Sequence, residues 1–165
     1  MKLALIIAGS LALLLVLGVA IVTWIGSRMP ESHTASRSLK ISRPPREVYA
    51  VVRNFGEAGK WRRDVKRVEL IGPDRFKEYG SHGAVTYQIV EDIPDRKIVT
   101  RIVDVDLGYS GSWEYAMEGG ENGTTVTITE RGLVSNPMFR FMSAYVFGHT
   151  ATIDAYLKAL SASLR

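Results

Sequence analysis

The 165-residue sequence predicts an α+β domain that follows an N-terminal apolar helix. Three observations support this prediction. An apolar run without a charged side chain extends from Leu3 to Ile25. Apolar and polar residues then alternate through much of residues 38–130, which is typical of half-buried strands. After Pro137 the apolar period becomes that of a helix and stays so to the C terminus.

The run Leu3–Ile25 is long enough to cross a membrane as one helix. At a rise of about 1.5 Å per residue, roughly 20 apolar residues span a hydrocarbon core about 30 Å thick. A cleaved signal peptide is the alternative, with Gly18-Val19-Ala20 as its best cleavage site. The run exceeds a typical signal core and is not followed by an A-x-A-like site. We therefore predict a transmembrane anchor over 1–27, a linker over 28–36 and one domain over 37–165.

The charged residues that flank the run indicate on which side of the membrane the domain lies. Lys2 precedes the run, whereas Arg28, Arg37 and Lys40 follow it. The positive-inside rule then favours a single-pass protein with its domain in the cytoplasm, but a short tail with one Lys also begins many segments that export a domain. The side of the domain therefore stays open. Because the sequence contains no cysteine, disulfides, thiolate nucleophiles and Cys-ligated zinc are excluded.

The elements of the domain are predicted in the order one strand, two short helices, six strands and one long helix. The first strand is expected at 38–42. Pro45 suits the first position of a helix over 46–55, and a second short helix follows at 57–61. Turn residues separate six further strands, predicted at 65–71, 75–79, 84–93, 97–103, 109–117 and 124–130.

The terminal helix is predicted over 137–163. Asn136 is a good N-cap residue, and Pro137 suits the first helical position. Apolar residues recur three or four apart from Met138 to Leu160, which places them along one stripe. Gly148 is expected to loosen the middle of this helix.

Several short motifs carry a resemblance to a known family. They are ISRPPREVYAVV at 41–52, Trp61 after the second helix, EDIPDRKI at 91–98, GSWEY at 111–115 and GTTVTITE at 123–130. Over about residues 35–164 the chain resembles the START-like helix-grip superfamily, also called the Bet v 1-like, SRPBCC or polyketide cyclase/dehydrase and lipid transport group. The family usually carries a second Trp near Trp61, where this chain has Arg62, Arg63 and Asp64.

The resemblance implies a curved antiparallel sheet of about seven strands that wraps around the C-terminal helix. It also implies a cavity for an apolar ligand between the sheet and that helix. Strand parity and helical spacing independently place aromatic and thioether side chains on the two surfaces that would face each other. The predicted ligand-binding residues are Tyr87, Trp113, Tyr115, Met142, Tyr145, His149 and Ile153. The alternative is that the same residues form a fully packed core without a cavity.

The sequence lacks a complete catalytic motif. Ser112 stands where a nucleophile elbow would need glycine, and the glycines at 119, 120 and 123 lie between strands and do not open a helix. His33, His82 and His149 are scattered, with His82 in a predicted solvated turn, so neither a metal site nor a cofactor is predicted. His149 could form an acid-base pair with Glu130 or Tyr115, although a hydrogen-bonded core histidine is the alternative.

Basic residues concentrate in one stretch of the domain and predict a membrane-facing surface. Each Lys or Arg near anionic lipid gains about 1 kcal/mol, while a solvated face is the alternative reading. The residues are Arg53, Lys60, Arg62, Arg63, Lys66 and Arg67. Nucleic acid is not a predicted partner, since the chain has an anchor and lacks a recognition motif.

The favoured function is a membrane-anchored binding protein for a lipid or another hydrophobic small molecule. Catalysis would need a positioned acid or base, and the candidates in this sequence are isolated. The alternatives are a cyclase/dehydrase-like enzyme that uses the same cavity and a membrane-tethered domain that binds another protein.

Overall fold

The computed structural model describes residues 2–80 and 83–165, so His82 and its predicted turn lie outside the described residues. Helix α1 spans Lys2–Ser27 and is followed by a domain of strands and helices. The strands are β1 Ser32–Ile41, β2 Val65–Leu70, β3 Arg75–Gly80, β4 Gly83–Ile93, β5 Lys97–Ile102, β6 Tyr109–Gly120 and β7 Gly123–Val134. The helices are α2 Pro45–Arg53, a 3₁₀ helix Phe55–Lys60, α3 Pro137–Met142, a π-helix Ser143–Phe147 and α4 Ala151–Ser163.

The seven strands form one antiparallel sheet in the order β1-β7-β6-β5-β4-β3-β2. Strands β2 to β7 follow one another as hairpins, and β1 pairs with β7. The predicted α+β architecture, with seven antiparallel strands and a C-terminal helix, is confirmed. The bounds of β2 to β5 differ from prediction by one residue at most, because turn residues delimit these strands.

Strand β1 begins at Ser32, so the predicted linker over 28–36 is too long and the predicted strand over 38–42 is too short. The small polar residues of this segment resemble a linker, but they pair with β7. The Ser36 and Thr129 hydroxyl oxygens lie 3.0 Å apart, and those of Ser38 and Thr127 lie 2.8 Å apart. These partners are about 90 residues away in sequence, which local pattern does not reveal.

The predicted continuous helix over 137–163 is wrong, because the structure breaks it near Gly148. Asn136 caps α3 as predicted, and its side-chain oxygen accepts hydrogen bonds from the Met138 and Phe139 backbone N–H groups. The π-helix that follows ends at Gly148, whose φ of 74° lies in the left-handed region. Glycine adopts this conformation at little cost, so the chain changes direction before α4.

The concave face of the sheet has two ends with different coverings. We call one the packed end, where β1 finishes at Ile41 and β7 begins, and the other the open end, where β1 begins and β7 finishes at Val134. Helix α2 and the C-terminal half of α4 cover the packed end. The fully buried side chains there include Val48, Val52, Ile98, Val126 and Leu160.

Helix α1 projects from the open end of the domain. Most of the helix is exposed, whereas Gly26 near its C-terminal end is buried where α1 contacts α3. By length and composition this is the one helix in the described residues that could cross a membrane, a test that a signal sequence also passes.

Candidate ligand cavity

A cavity of about 720 Å³ lies between the concave face of the sheet and α4, toward the open end. Helix α4 contributes Ala151, Thr152 and Ala155 from its first turns, whereas Ile153 is buried in the core. The first turns of α4 therefore present small side chains to this space. Larger residues farther along the helix, such as Leu157 and Leu160, fill the packed end instead.

Aromatic rings form much of the cavity wall. Trp113 and Tyr115 point the same way from β6 because they are two residues apart on a strand. Tyr156 of α4 faces them, with its ring centroid 5.9 Å from that of Trp113 and 5.4 Å from that of Tyr115. Tyr87 of β4 adds a fourth ring on this wall. Such rings offer large apolar surfaces together with a few polar atoms.

A charged cluster lies at the side of the cavity. The guanidinium of Arg62 donates to Asp64 Oδ2 at 2.6 Å and to Glu78 Oε1 at 2.8 Å. Its Cζ atom lies 5.1 Å from the centroid of the Tyr156 ring. The Arg62 and Glu78 side chains are only 13% and 11% exposed, so this pair is largely removed from water. Two carboxylates therefore surround one guanidinium.

The surroundings of this cluster determine its charge states. Burial opposes the charged form of Arg62, but the hydrogen bond to Asp64 and the charge of Glu78 outweigh it and raise the pKa of the guanidinium. Burial raises the pKa of Glu78, against the effect of Arg62. Burial also raises the pKa values of Tyr87, Tyr115 and Tyr156, so these phenols stay neutral hydrogen-bond donors at physiological pH.

A second polar cluster joins β1, β7 and the segment after Gly148. The rings of His33 and His149 stack with their centroids 4.4 Å apart. His33 Nε2 lies 3.5 Å from Glu130 Oε1, and His149 Nδ1 lies 3.0 Å from the Ser143 hydroxyl oxygen. All four residues line the cavity.

The histidines of this cluster favour their neutral forms. Burial lowers the pKa of His33. Burial also lowers the pKa of His149, as does the neighbouring His33, while Glu130 acts in the opposite direction. Burial raises the pKa of Glu130, against the effects of His149 and a hydrogen bond from Trp113. Neutral imidazoles beside a carboxyl group can accept or donate a proton, which is the minimum chemistry of an acid-base site.

The seven predicted ligand-binding residues divide into two groups. The structure places Tyr87, Trp113, Tyr115 and His149 together at the cavity wall. It places the other three elsewhere: Ile153 is fully buried in the core, Tyr145 is 69% exposed, and Met142 ends α3 away from the wall. One continuous helical stripe does not form, because the chain turns at Gly148 between Tyr145 and Ile153. The ligand-binding role of all seven residues stays a prediction.

The predicted basic surface is not uniform. Arg62 points into the cavity side and is not a surface residue. Arg53 pairs with Asp92 at 2.6 Å, Lys60 pairs with Glu57, and Arg67 lies 3.6 Å from Glu69. Acidic partners therefore neutralise much of this stretch, which weakens its attraction for anionic lipid. Arg63 and Lys66 remain part of the predicted membrane-facing surface, which these contacts do not test.

Sequence reasoning missed Arg62, Glu78 and His33 as cavity residues. His33 lies within the predicted linker, for which no strand neighbours are predicted. Arg62 belongs to the predicted basic surface. It stands near the position of the family's second Trp, and this departure from the family pattern is the one signal in the sequence that sets Arg62 apart.

Comparisons with known proteins agree with this architecture. The family model for polyketide cyclase / dehydrase and lipid transport matches residues 32–164. A search of curated proteins finds no match. A START superfamily protein from Mycobacterium smegmatis is similar in structure with a TM-score of 0.66 and 14% identity, over 80% of this chain and 97% of that one.

Two aromatase/cyclase structures are similar in fold. The Zhui aromatase/cyclase from Streptomyces sp. R1128 has a TM-score of 0.64 and 13% identity, over 81% of this chain and 93% of that one. The di-domain ARO/CYC StfQ from the steffimycin biosynthetic pathway has a TM-score of 0.65 and 13% identity, over 81% of this chain and 51% of that one. At these identities the likeness concerns the fold, and the family model adds the sequence signal. The chain belongs to the polyketide cyclase / dehydrase and lipid transport family.

Proposed function

We propose that this protein is a membrane-anchored binding protein for a hydrophobic small molecule or lipid. The observation that carries the proposal is the cavity of about 720 Å³ between the sheet and α4, walled by Tyr87, Trp113, Tyr115 and Tyr156. Ligand sites commonly have volumes of about 300–1,000 Å³, with apolar walls and a few polar groups. The membership of the chain in a family named for lipid transport and cyclase activities supports the same proposal.

We propose further that the guest is uncharged. Arg62 already faces the carboxyl groups of Asp64 and Glu78, so the cluster offers no excess of positive charge to a bound anion. An anionic guest would lose its hydration without gaining a cationic partner of its own. The neutral tyrosine hydroxyls instead suit an alcohol, ketone or ester group on a hydrophobic body.

The anchor in this proposal is α1. Its 22-residue segment Ile6–Ser27 is about 33 Å long at about 1.5 Å per residue, which matches the hydrocarbon thickness of a bilayer. We expect the full chain to remain with membranes after a carbonate wash. A mature protein whose intact mass places its first residue at Ile21 would contradict the anchor and indicate a cleaved signal peptide.

The test of binding compares two tryptophan substitutions on α4. Ala155→Trp places an indole at the border of the cavity, whereas Ala162→Trp makes the same change at a position that is equally exposed but does not line the cavity. We expect the detergent-extracted wild type and Ala162→Trp to take up a fluorescent sterol, and Ala155→Trp to lose at least tenfold in affinity, or about 1.4 kcal/mol. Native mass spectrometry and organic extraction would identify any guest that copurifies.

Two results would contradict the proposal. A folded wild type that takes up no apolar probe would favour the packed, partner-binding alternative. Equal uptake by the two tryptophan variants, with both shown to be folded by circular dichroism, would remove the α4 wall from the binding site. Either outcome can be separated from a loss of anchoring, because uptake is measured in detergent.

A cyclase/dehydrase-like enzyme is the second candidate, and the cluster of His33, Glu130 and His149 favours it. Two of the structures of similar fold are described as aromatase/cyclases. His149→Gln separates the candidates. An acid-base role predicts that turnover of a polyketide-like substrate falls by about 10²–10⁴, whereas binding alone predicts an affinity change of about 1 kcal/mol or less.

A further inference from the structure

Helix α1 is attached to the domain at a defined place. The last turn of α1 packs so closely on α3 that a Cβ atom added to Gly26 would overlap the Pro137 carbonyl group. Pro137 is the first residue of α3, so this contact joins the end of the apolar helix to the start of the segment that precedes α4. Close approach of two backbones requires a residue without a side chain.

A buried arginine fixes the short connection between α1 and β1. Arg140 of α3 donates to the Met29 carbonyl oxygen at 2.9 Å and to Glu31 Oε1 at 3.0 Å. It also donates to the Ser135 carbonyl oxygen at 2.9 Å, and its side chain is 9% exposed. The connection is therefore bound to α3 at two points, which restricts rotation of the domain about the end of α1.

The level of the membrane surface can be inferred from α1 itself. Trp24 is exposed near the end of this helix, and the guanidinium of Arg28 lies 4.3 Å from its ring centroid. Tryptophan and arginine are typical of the interface between hydrocarbon and water. Gly26 is only about 3 Å along the helix from Trp24 at about 1.5 Å per residue, so α3 lies at this same level.

Large apolar side chains are exposed next to this contact. Met138 and Phe139 lie on α3, and Tyr145 and Val146 lie on the π-helix. Val105, which is 91% exposed, lies in the loop before β6. The Ser135 backbone N–H donates to the Gly108 carbonyl oxygen of the same loop at 3.0 Å. We call these five residues the apolar rim. They gather at the open end of the sheet, from which α1 also projects.

The same segment borders the cavity. Ser143 of the π-helix, Gly148 and His149 all line it, so four of the five rim side chains and these cavity residues belong to one short stretch of chain. This stretch is a helix of only six residues, a π-helix and a glycine with a φ of 74°. Short irregular helices open at lower cost than packed core elements.

We infer that the apolar rim inserts into the interfacial layer of the bilayer that α1 spans, so that the cavity exchanges its guest directly with the membrane. This inference rests on the proposed anchoring and binding. The occupant of the rim is lipid, because the rim lies beside the end of an apolar helix that packs on α3 through Gly26, and Arg140 of α3 holds the connection that follows this helix. Amphipathic elements at this depth bury their apolar side chains about 5–10 Å into the boundary between headgroups and acyl chains.

The test uses the absence of cysteine in the natural sequence, which allows single labels without background. Phe139→Cys and Val146→Cys report on the rim, and Leu70→Cys and Ile71→Cys, which replace exposed apolar residues at the turn between β2 and β3, are matched controls. Each full-length variant is labelled with an environment-sensitive fluorophore and reconstituted in phosphatidylcholine vesicles that contain nitroxide-labelled lipid. Leu13→Cys reports on α1.

We expect the nitroxide lipid to quench the labels at residues 139 and 146 by roughly twofold or more and to leave those at 70 and 71 bright. Adding Gly26→Leu should undock α1 from α3 and reduce the quenching at residue 139. If the label at residue 13 is quenched but those at 139 and 146 are not, the inference is overturned while the anchor stands. If residue 13 is also unquenched, the anchoring itself is wrong.

A second measurement tests exchange with the membrane. We expect Val146→Glu to slow the transfer of a fluorescent sterol from vesicles to the protein by about tenfold, because a buried carboxylate opposes insertion of the rim. Leu70→Glu makes the same kind of change at the exposed end of β2 and should leave the rate unaltered. Equal transfer rates for the two folded variants would overturn the inference.

Discussion

The packed and open ends of the sheet differ in how completely the helices fill the space above them. Ile153, Leu157 and Leu160 fill the packed end together with Val48 and Val52 of α2. At the open end Ala151, Thr152 and Ala155, which are exposed, border a cavity of about 720 Å³ together with Tyr156. One helix thus contributes both to the core, through its buried stripe, and to the wall of the cavity.

The polar groups of the two ends differ as well. The fully buried polar side chain of the packed end, Thr124, donates to the Arg43 carbonyl oxygen at 2.7 Å. The open end contains the Arg62 and Glu78 pair and the cluster of His33, Glu130 and His149. Titratable groups near a cavity are typical of functional sites, whereas satisfied hydroxyls in a core serve packing. The packed end is therefore a hydrophobic core, whereas the titratable groups that make a candidate functional site lie at the open end.

Removing the buried cation at the open end is expected to have the largest effect on stability. Arg62→Met leaves Glu78, which is 11% exposed, without its partner, and we expect a loss of roughly 3–5 kcal/mol in the free energy of unfolding. Arg53→Met removes an arginine that pairs with Asp92 nearer the surface and should cost about 1 kcal/mol or less. Denaturant unfolding of the full chains in detergent measures both values.

The effect of Arg62→Met should depend on pH. Burial raises the pKa of Glu78 above its unfolded value, so protonation favours the folded variant and the loss should shrink as the pH falls through that range. A loss that is independent of pH would indicate that the packing of the arginine stem, and not its charge, stabilises this end.

Truncating a leucine at the packed end and an isoleucine at the open end compares the packing of the two ends, because leucine and isoleucine side chains are isomers. Leu160→Ala removes a fully buried side chain at the packed end and should cost about 3 kcal/mol. Ile102→Ala removes the same number of atoms from a half-buried residue at the cavity wall and should cost about 1 kcal/mol. Equal losses in denaturant unfolding would mean that the cavity closes in solution.

The structure also shows which elements can be predicted from the sequence pattern and which cannot. Alternation and turn residues predict β2 to β5 almost residue by residue, because each strand is delimited locally. The fold as a whole follows from the family motifs. The first residues of β1 are not predicted, since they depend on pairing with β7. Gly148 is expected only to loosen the terminal helix, whereas its left-handed conformation ends the π-helix and separates it from α4.

The candidate site shows the same division between local and long-range information. Trp113 and Tyr115 are predicted to share a face by strand parity, and His149 is predicted as the titratable group to consider. The partners of His149 are not predictable from spacing, because His33 comes from β1 and Ser143 from a π-helix. The charge balance of Arg62 depends on Glu78, which is 16 residues away on another strand.

The charge of the guest provides the next test of the open end. Hexadecanol and hexadecanoic acid have the same chain length and differ in the polar group. At a pH of about 8, where the acid is ionised, we expect hexadecanol to displace a fluorescent sterol at least tenfold better, equivalent to about 1.4 kcal/mol. Stronger displacement by the anion would contradict the proposed uncharged guest and would indicate that Arg62 leaves its carboxylates to bind it.

The smallest expected effect concerns the histidines of the open end. The pKa values of His33 and His149 in the folded chain are lowered by burial, so the unfolded chain binds protons more readily. Their contribution to stability is therefore complete above the ordinary histidine pKa of about 6.5 and declines as the pH falls through the folded values. Burial raises the pKa of Glu130, which acts with the opposite sign and opposes this decline.

The histidine contribution can be isolated by comparing wild type with His149→Gln. Glutamine retains a hydrogen-bonding side chain beside Ser143 but cannot become charged against His33. Between about pH 7.5 and about pH 5.5 we expect the melting temperature of wild type to fall more than that of His149→Gln, while Leu160→Ala should keep the wild-type slope. Parallel slopes for wild type and His149→Gln would mean that protonation of His149 does not disturb the stacked pair, and the open end would then lack the pH response that its buried histidines predict.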